Sequence, residues 1–158
     1  MKIKEIVIVF VMVLIDQLSK FLATRYLQPI RSTQIIRNVL DFTYVLNDGM
    51  AFGLFRGGRW FFVIVTVAIL GAIIFYYRKI PKGKANSWLK FSLMLVMAGA
   101  IGNFIDRLRT GYVVDFIHVR FVNFPVFNIA DIYVSIGAAL MFVLVIFFVK
   151  DEKGQKDA

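Results

Sequence analysis

Two aspartates, Asp115 and Asp131, lie sixteen residues apart in the strongly apolar stretch "VVDFIHVRFVNFPVFNIADIYV" at residues 113–134. A charged side chain at the centre of a bilayer costs on the order of 3 kcal/mol, so ionisable groups among apolar residues are rare and usually functional. Two carboxylates held close together cannot both ionise cheaply, so one of them keeps its proton. The ionised member can take a proton from water while the protonated member donates a hydrogen bond to a scissile carbonyl. Such a pair indicates aspartic-protease chemistry, which needs no metal and no cofactor.

Each aspartate also has a structural interpretation. Asp131 follows Asn128 by three residues, a spacing typical of a helix N-terminus, where carboxylate and amide groups bind free backbone N–H groups. Asp115 lies in a strand-like run and could be a loop carboxylate paired with an arginine. The candidate arginines are Arg107, Arg109 and Arg120.

Three further charged residues, Asp16, Lys20 and Asp106, lie near the ends of apolar stretches that the topology below assigns to one side of a membrane. Asp16 and Lys20 are four residues apart, so they share a helix face and could equally form a helix-end ion pair. Asn103 lies on the same helical face as Asp106 and could form hydrogen bonds across helices. Asp106 is followed by Arg107, and this pair could simply fix a helix end. Five charged groups at one depth predict a single site.

Other catalytic arrangements have little support in the sequence. His118 is the only histidine and there is no cysteine, so a zinc site is not expected. No glycine-rich phosphate loop is present, and no serine has a nearby histidine to form a triad. The net charge of +9 comes from basic residues between apolar spans, which favours membrane orientation and anionic lipids over nucleic acid.

The elements that must position these residues follow from the hydropathy pattern. Hydrophobic residues make up 59% of the 158 residues and charged residues only 18%, a composition typical of a membrane protein. A spanning helix needs roughly 20 apolar residues. We therefore predict an α-helical integral membrane protein with a single membrane domain, residues 1–158, and four spans. The predicted spans are residues 6–23, 60–77, 88–105 and 129–149. The first stretch could also be read as a signal peptide, but it ends in a charged cluster without a small-residue cleavage site.

Four spans place both termini on the same side. The short basic connection "RKIPKGKANSWLK" between spans two and three predicts that this side, with the tail at 150–158, is cytoplasmic. Residues 24–59 contain "DFTYVLNDG", which is rich in β-forming residues and ends in a turn signal. We expect a small extracytoplasmic sheet there, and residues 106–127 also have partial strand character.

Five motifs occur in order along the chain, and any one of them alone is weak. They are "DQLSK" at 16–20, "NDGMAFG" at 47–53, "GAIGNFIDR" at 99–107, "VVDF" at 113–116 and "FNIAD" at 127–131. In this order and on a four-span pattern, they resemble the bacterial lipoprotein signal peptidases, also called signal peptidase II.

The resemblance implies an aspartic endopeptidase of the bacterial inner membrane, with its active site near the outer face. We expect the protein to be a monomer. Such enzymes cut the signal peptide from prolipoproteins just before a Cys that carries a diacylglyceryl group, and globomycin-type antibiotics inhibit them. Their partners are lipid-modified prolipoprotein signal peptides and membrane lipids. The resemblance makes Asp115 and Asp131 the catalytic pair. It also gives supporting roles to Asp16, Lys20, Asn47, Gly49, Asn103, Asp106, Arg107, Asn128 and Ala130.

The sequence departs from the family pattern at two positions. Met50 stands where a small residue is usual, and Ala98 stands where a second glycine is common. Neither departure touches the aspartate pair.

Three alternative functions predict a different arrangement or role of the aspartates. A small proton-coupled membrane transporter would use membrane-embedded aspartates, but it predicts them near mid-span. A metal-dependent lipid transferase predicts denser aspartate clusters. A membrane scaffold without chemistry predicts that the aspartates matter only for stability.

Overall fold

The computed structural model describes residues 1–49, 57–81, 83–122 and 124–147, and it contains four long helices and a small sheet. All four helices are long and apolar enough to cross a membrane, which confirms the predicted fold class. Consecutive helices run in opposite directions, so the connections α1–α2 and α3–α4 lie at the same end of the bundle. The helices are α1 (Ile3–Leu27), α2 (Arg59–Lys79), α3 (Lys84–Arg109) and α4 (Ile129–Phe147).

Helix α3 is the centre of the bundle, because α1, α2 and α4 all pack against it. The other three helices expose many large apolar side chains outward, as expected for surfaces that face lipid. Close packing of α4 on α3 depends on small residues. A Cβ atom at Gly99 would overlap the carbonyl oxygen of Ala130. On another face of α3, Ala98 is fully buried in the core between α1, α2 and α3.

The sheet has three antiparallel strands in the order β1–β2–β3. Strands β1 (Ser32–Ile36) and β2 (Leu40–Asn47) form a hairpin in the segment between α1 and α2. Its turn contains Asn38 at φ 58°, a left-handed conformation that asparagine tolerates better than most residues. Strand β3 (Val113–Val119) follows α3 and pairs with β2, so the sheet joins both connections at this end of the bundle.

The sheet packs on the last turns of α1. Tyr44 and Phe116 from the sheet form a buried cluster with Ala23 and Leu27 from α1. This cluster fixes β3 against the helices. Because β3 carries Asp115, the cluster also fixes the height of that carboxylate relative to α1 and α3.

Part of the sequence interpretation lies outside the described residues. This holds for Met50, for the second half of "NDGMAFG" at 50–53, for the last residues of the fourth predicted span and for the tail at 150–158.

Candidate active site

Asp115 and Asp131 line one cavity of about 550 Å³ at the end of the bundle that carries the sheet. Asn47, Asn103 and Arg107 also line this cavity. Strand β3 supplies Asp115, the first turn of α4 supplies Asp131, and the end of α3 supplies Asn103 and Arg107. Two carboxylates 16 residues apart in sequence therefore face the same space.

Asp115 is held by two amide groups. Its Oδ1 accepts a hydrogen bond from Asn128 Nδ2 at 2.6 Å and its Oδ2 accepts one from Asn47 Nδ2 at 2.9 Å. The residue is only 3% exposed. Burial raises the pKa of Asp115 to about 7; the Asn47 amide opposes this rise, and the nearby charge of Asp131 adds to it. Asp115 can therefore carry a proton near neutral pH.

Asp131 is positioned by the way α4 begins. The backbone N–H of Asn128 donates to Asp131 Oδ2 at 3.1 Å, and Asn128 Oδ1 accepts from the backbone N–H of Asp131 at 3.0 Å. This reciprocal pair is a capping box, so the predicted helix-capping role of both residues is confirmed. Asn103 Nδ2 donates to the other oxygen, Oδ1, at 2.8 Å. Capping fixes Asp131, yet the carboxylate still faces the cavity, so the structural and catalytic interpretations are compatible.

Asn128 connects the two aspartates. Its side chain is fully buried behind the cavity wall, where its Nδ2 donates to Asp115 and its Oδ1 caps the N–H of Asp131. The same Nδ2 lies 3.2 Å from Asn103 Oδ1. A single residue thus holds both carboxylates, Asp115 through its side-chain amide and Asp131 through its backbone N–H.

A second polar layer lies below the pair and contains a buried lysine. Lys20 Nζ is 2.9 Å from Asp16 Oδ2, 2.9 Å from Asp106 Oδ2 and 2.8 Å from Asn103 Oδ1. An ammonium group has three N–H donors and no acceptor, so these three partners satisfy it completely. Because Lys20 can only donate, Asn103 must present its oxygen to Lys20 and its NH₂ group to Asp131. We call Asp16, Lys20 and Asp106 the buried charge cluster.

The buried charge cluster also fixes the start of α4. Asp16 Oδ1 accepts a hydrogen bond from the backbone N–H of Ala130 at 2.9 Å. Such a carboxylate satisfies one of the free N–H groups in the first helical turn and interacts favourably with the helix dipole. The approach requires a glycine on α3, since a Cβ atom at Gly102 would overlap Asp16 Oδ2.

The arginine interpretations of the sequence are wrong. Asp106 does not pair with Arg107: its carboxylate binds Lys20, and its Oδ1 also accepts from Gln17 at 3.0 Å. Asp115 is held by amides instead of by an arginine. The guanidinium of Arg107 lies 4.7 Å from the centre of the Phe62 ring and donates to the carbonyl of Gly49 at 3.2 Å.

Gln17 and the apolar wall of the cavity were not predicted from the sequence. Gln17 Nε2 contacts Asp16, Asp106 and the carbonyl of Gly102, so it braces the buried charge cluster. Its position next to Asp16 in "DQLSK", inside a span, was the available signal. Part of the apolar wall comes from residues 124–127, which precede α4, and from Ile132 and Ile136.

The site has the donors and acceptors for acid–base chemistry and lacks a set of metal ligands. Within the described ranges, no group of three or more His, Cys, Asp or Glu side chains could hold a metal ion. Each carboxylate oxygen of the pair accepts one hydrogen bond, which leaves lone pairs available to a water molecule or a substrate.

Comparisons with known proteins agree on one family. A sequence model described as signal peptidase (SPase) II matches residues 8–147. A lipoprotein signal peptidase of Lactococcus lactis is 41% identical over 146 residues, covering 92% of this chain and 95% of the relative. A lipoprotein signal peptidase of Streptococcus agalactiae is 38% identical over 137 residues, covering 87% and 88%. A bacterial membrane enzyme solved by the in meso method at 2.3 Å resolution is 35% identical with a TM-score of 0.83, covering 98% of this chain and 93% of the other.

Proposed function

The chain belongs to the signal peptidase II family, and on that premise we propose that it is an aspartic endopeptidase in which Asp115 and Asp131 are the catalytic residues. As a member of this family it is a multi-pass bacterial membrane protein that cleaves signal peptides from prolipoproteins. The observation that carries the proposal is the pair of buried carboxylates facing one cavity, coupled through Asn128.

The proposed reaction begins with a water molecule between the two carboxylates. Asp131 takes a proton from the water as its oxygen bonds to the scissile carbonyl carbon, and Asp115 gives its proton to the carbonyl oxygen. The product of this step is a tetrahedral gem-diol. Asp131 then passes its proton to the leaving nitrogen as the C–N bond breaks, and a gem-diol hydroxyl returns a proton to Asp115. Both carboxylates end in their starting states, so no metal or cofactor is consumed.

The assignment of the proton to Asp115 is supported by the environment of the two groups. Burial and the neighbouring charge raise the pKa of Asp115 to about 7. Asp131 accepts hydrogen bonds from the backbone N–H of Asn128, just before α4, and from the amide of Asn103, which fix its carboxylate beside the space for water. A proton on Asp115 near neutral pH supplies the acid that the reaction needs.

The proposed cut lies just before a lipid-modified Cys. The cavity has an apolar wall that includes Phe124 and Phe127, which pack edge to face, and Ile132 and Ile136 on α4. Apolar walls suit an acylated substrate that arrives from the bilayer, and the same cavity would accept globomycin-type inhibitors. Supporting positions such as Asn47 and Asn103 would orient the carboxylates without taking part in bond making.

The proposed orientation places both termini in the cytoplasm and the cavity at the outer face. It is supported by the basic residues at and beside the short connection between α2 and α3, which are Lys79, Lys82 and Lys84 in the sequence. The sheet and the two aspartates lie at the opposite end of the bundle, where the signal peptide of an exported lipoprotein would end.

The test uses purified protein in detergent and a diacylglyceryl-modified prolipoprotein, with the cut position determined by mass spectrometry. We expect wild type to cut before the lipidated Cys, with EDTA having no effect and globomycin inhibiting. Asp115→Asn and Asp131→Asn should each abolish cleavage. Asp41→Asn is the matched control, because Asp41 is also a buried carboxylate but lies on β2, paired with Arg120, away from the cavity.

Cleavage by a folded Asp115→Asn or Asp131→Asn protein would remove that residue from the mechanism. Folding is checked by the elution volume and melting temperature of each variant. A strong loss of cleavage in Asp41→Asn would mean that loss of a buried charge is harmful wherever it occurs.

A further inference from the structure

A second cavity, of about 710 Å³, lies between α2 and α4 on the surface of α3, near the bundle end opposite the aspartates. We call it the α2–α4 groove. Leu89, Leu93 and Val96 of α3 line it, together with Ile73 of α2 and Met141 of α4. None of the residues that line the active-site cavity lines this groove. It is therefore a distinct site.

The groove is apolar along its length and polar at one end. Among the described residues that line it, the only charged or amide side chains are Lys79 and Asn86. Lys79 ends α2 and its Nζ lies 4.0 Å from the centre of the Phe75 ring. Asn86 lies in the first turn of α3, where backbone N–H groups lack partners within the helix and attract anions.

Asn86 points to a polar ligand at this end of the groove. The residue is only 7% exposed, and its amide has no hydrogen-bond partner within the part of the chain that the structure describes, yet its polar atoms are not fully enclosed. An amide that opens only onto an apolar groove is costly to leave unpaired. A ligand with polar atoms at the Asn86 end of the groove would satisfy it.

We propose that the α2–α4 groove binds one anionic phospholipid, with an acyl chain along α3 and the phosphate headgroup at Lys79 and Asn86. The length of the groove fits a single leaflet. Ile69 and Lys79 are ten residues apart on α2, which is about 15 Å of helix, and the hydrocarbon core of a bilayer is about 30 Å thick. This proposal does not depend on the catalytic roles of Asp115 and Asp131.

Charge favours an anionic lipid over the helix of a signal peptide as the occupant of the α2–α4 groove. Signal peptides carry a positively charged segment before their apolar core. That segment would meet the Lys79 ammonium and the positive end of the α3 dipole, which repel it. An anionic headgroup is attracted by both.

The test measures lipid binding by native mass spectrometry in detergent, with phosphatidylglycerol and phosphatidylcholine titrated separately. We expect one lipid per chain and an affinity for phosphatidylglycerol about fivefold higher, the effect of one lysine near an anionic surface. Lys79→Gln should remove this preference and leave phosphatidylcholine binding unchanged. Asn86→Leu should weaken binding of both lipids, because both carry a phosphate.

Two controls keep the proposal falsifiable. Lys90→Gln removes the same charge from the same end of the bundle, but Lys90 does not line the groove and its Nζ faces the Tyr77 ring at 5.7 Å. It should leave both affinities unchanged. Ala72→Trp should block both lipids by filling the groove.

Three results would overturn the proposal. The first is equal affinity for the two lipids. The second is an equal effect of Lys79→Gln and Lys90→Gln, which would indicate general surface charge. The third is displacement of phosphatidylglycerol by an unlipidated signal peptide, which would make the substrate the occupant. Melting temperature and prolipoprotein cleavage of each variant distinguish lost lipid binding from lost folding.

Discussion

The buried charge cluster gives the sharpest test of how the site is built. Lys20 is 3% exposed, and its ammonium has three partners within 2.9 Å, two of which are the carboxylates of Asp16 and Asp106. Lys20→Met keeps most of the side-chain length and removes the charge together with all three donors. The substitution leaves two carboxylates facing each other with no cation between them.

The expected loss of stability is large. Removing one partner of a buried ion pair costs about 3–5 kcal/mol, because an uncompensated charge stays buried. For a chain of this size, 1 kcal/mol corresponds to about 2–4 °C in melting temperature, so the expected decrease is about 6–20 °C. Cleavage should also fall. Without Lys20, the Asn103 amide can turn and present its oxygen to Asp131, and misplacement of a reacting group can cost about a hundredfold in rate.

The assay is thermal unfolding in detergent, followed by tryptophan fluorescence, with cleavage measured below the transition. The informative control is the triple variant Asp16→Asn, Lys20→Met, Asp106→Asn. Because it removes every charge of the cluster, it should recover most of the melting temperature lost by Lys20→Met alone. If Lys20→Met melts within about 2 °C of wild type, the cluster is solvated and the reasoning from its burial is wrong.

Three further expectations concern Asp115 and two glycines. Because the Asn47 amide lowers the pKa of Asp115, Asn47→Ala should raise this pKa and move the basic limb of the pH–rate profile upward from about 7. An unchanged limb would show that another group carries the proton. Folding raises the pKa of Asp115 from 3.8 to about 7. The free energy of unfolding of wild type should therefore fall by about 4 kcal/mol, relative to Asp115→Asn, as the pH rises from about 4 to 7. A salt-bridged carboxylate would show the opposite sign. Denaturant titrations at several pH values measure this, and parallel curves would contradict it. Gly102→Ala should destabilise the protein by about 1–3 kcal/mol, because the added methyl group overlaps Asp16. Gly71→Ala is the control in the same melting assay. It should be neutral or slightly stabilising, because no atom lies within 4 Å of the added Cβ.

The sequence was sufficient to predict the helices and the existence of the sheet. Span length and hydropathy depend on the bilayer, so they can be evaluated one segment at a time. The strand character of "VVDFIHV" was also visible locally. The pairing between β2 and β3 was not, because its register includes an irregularity between Phe42 and Val45. The hydrogen bond from Asn47 to Asp115 depends on that register and could not be predicted.

Local polar contacts were predicted better than distant ones. The pair Asp16–Lys20 follows from helical spacing, and the capping box at α4 follows from three-residue spacing. Asp106 was assigned to its neighbour Arg107, because a local pattern cannot indicate a lysine 86 residues earlier. The catalytic roles of the two aspartates stay a prediction, which the cleavage experiment tests.

The position of Asp131 in α4 has a consequence for the order of events in biosynthesis. Chains are made and inserted from the N-terminus, so α1, the hairpin, α3 and β3 precede α4. A chain at that stage holds Asp115 but not Asp131, and it also lacks Asn128, the residue that donates hydrogen bonds to both carboxylates. Under the proposed mechanism it cannot hydrolyse a peptide bond. Hydrolytic capacity is therefore delayed until the last helix has entered the membrane, so an unfinished peptidase cannot cut substrates around it.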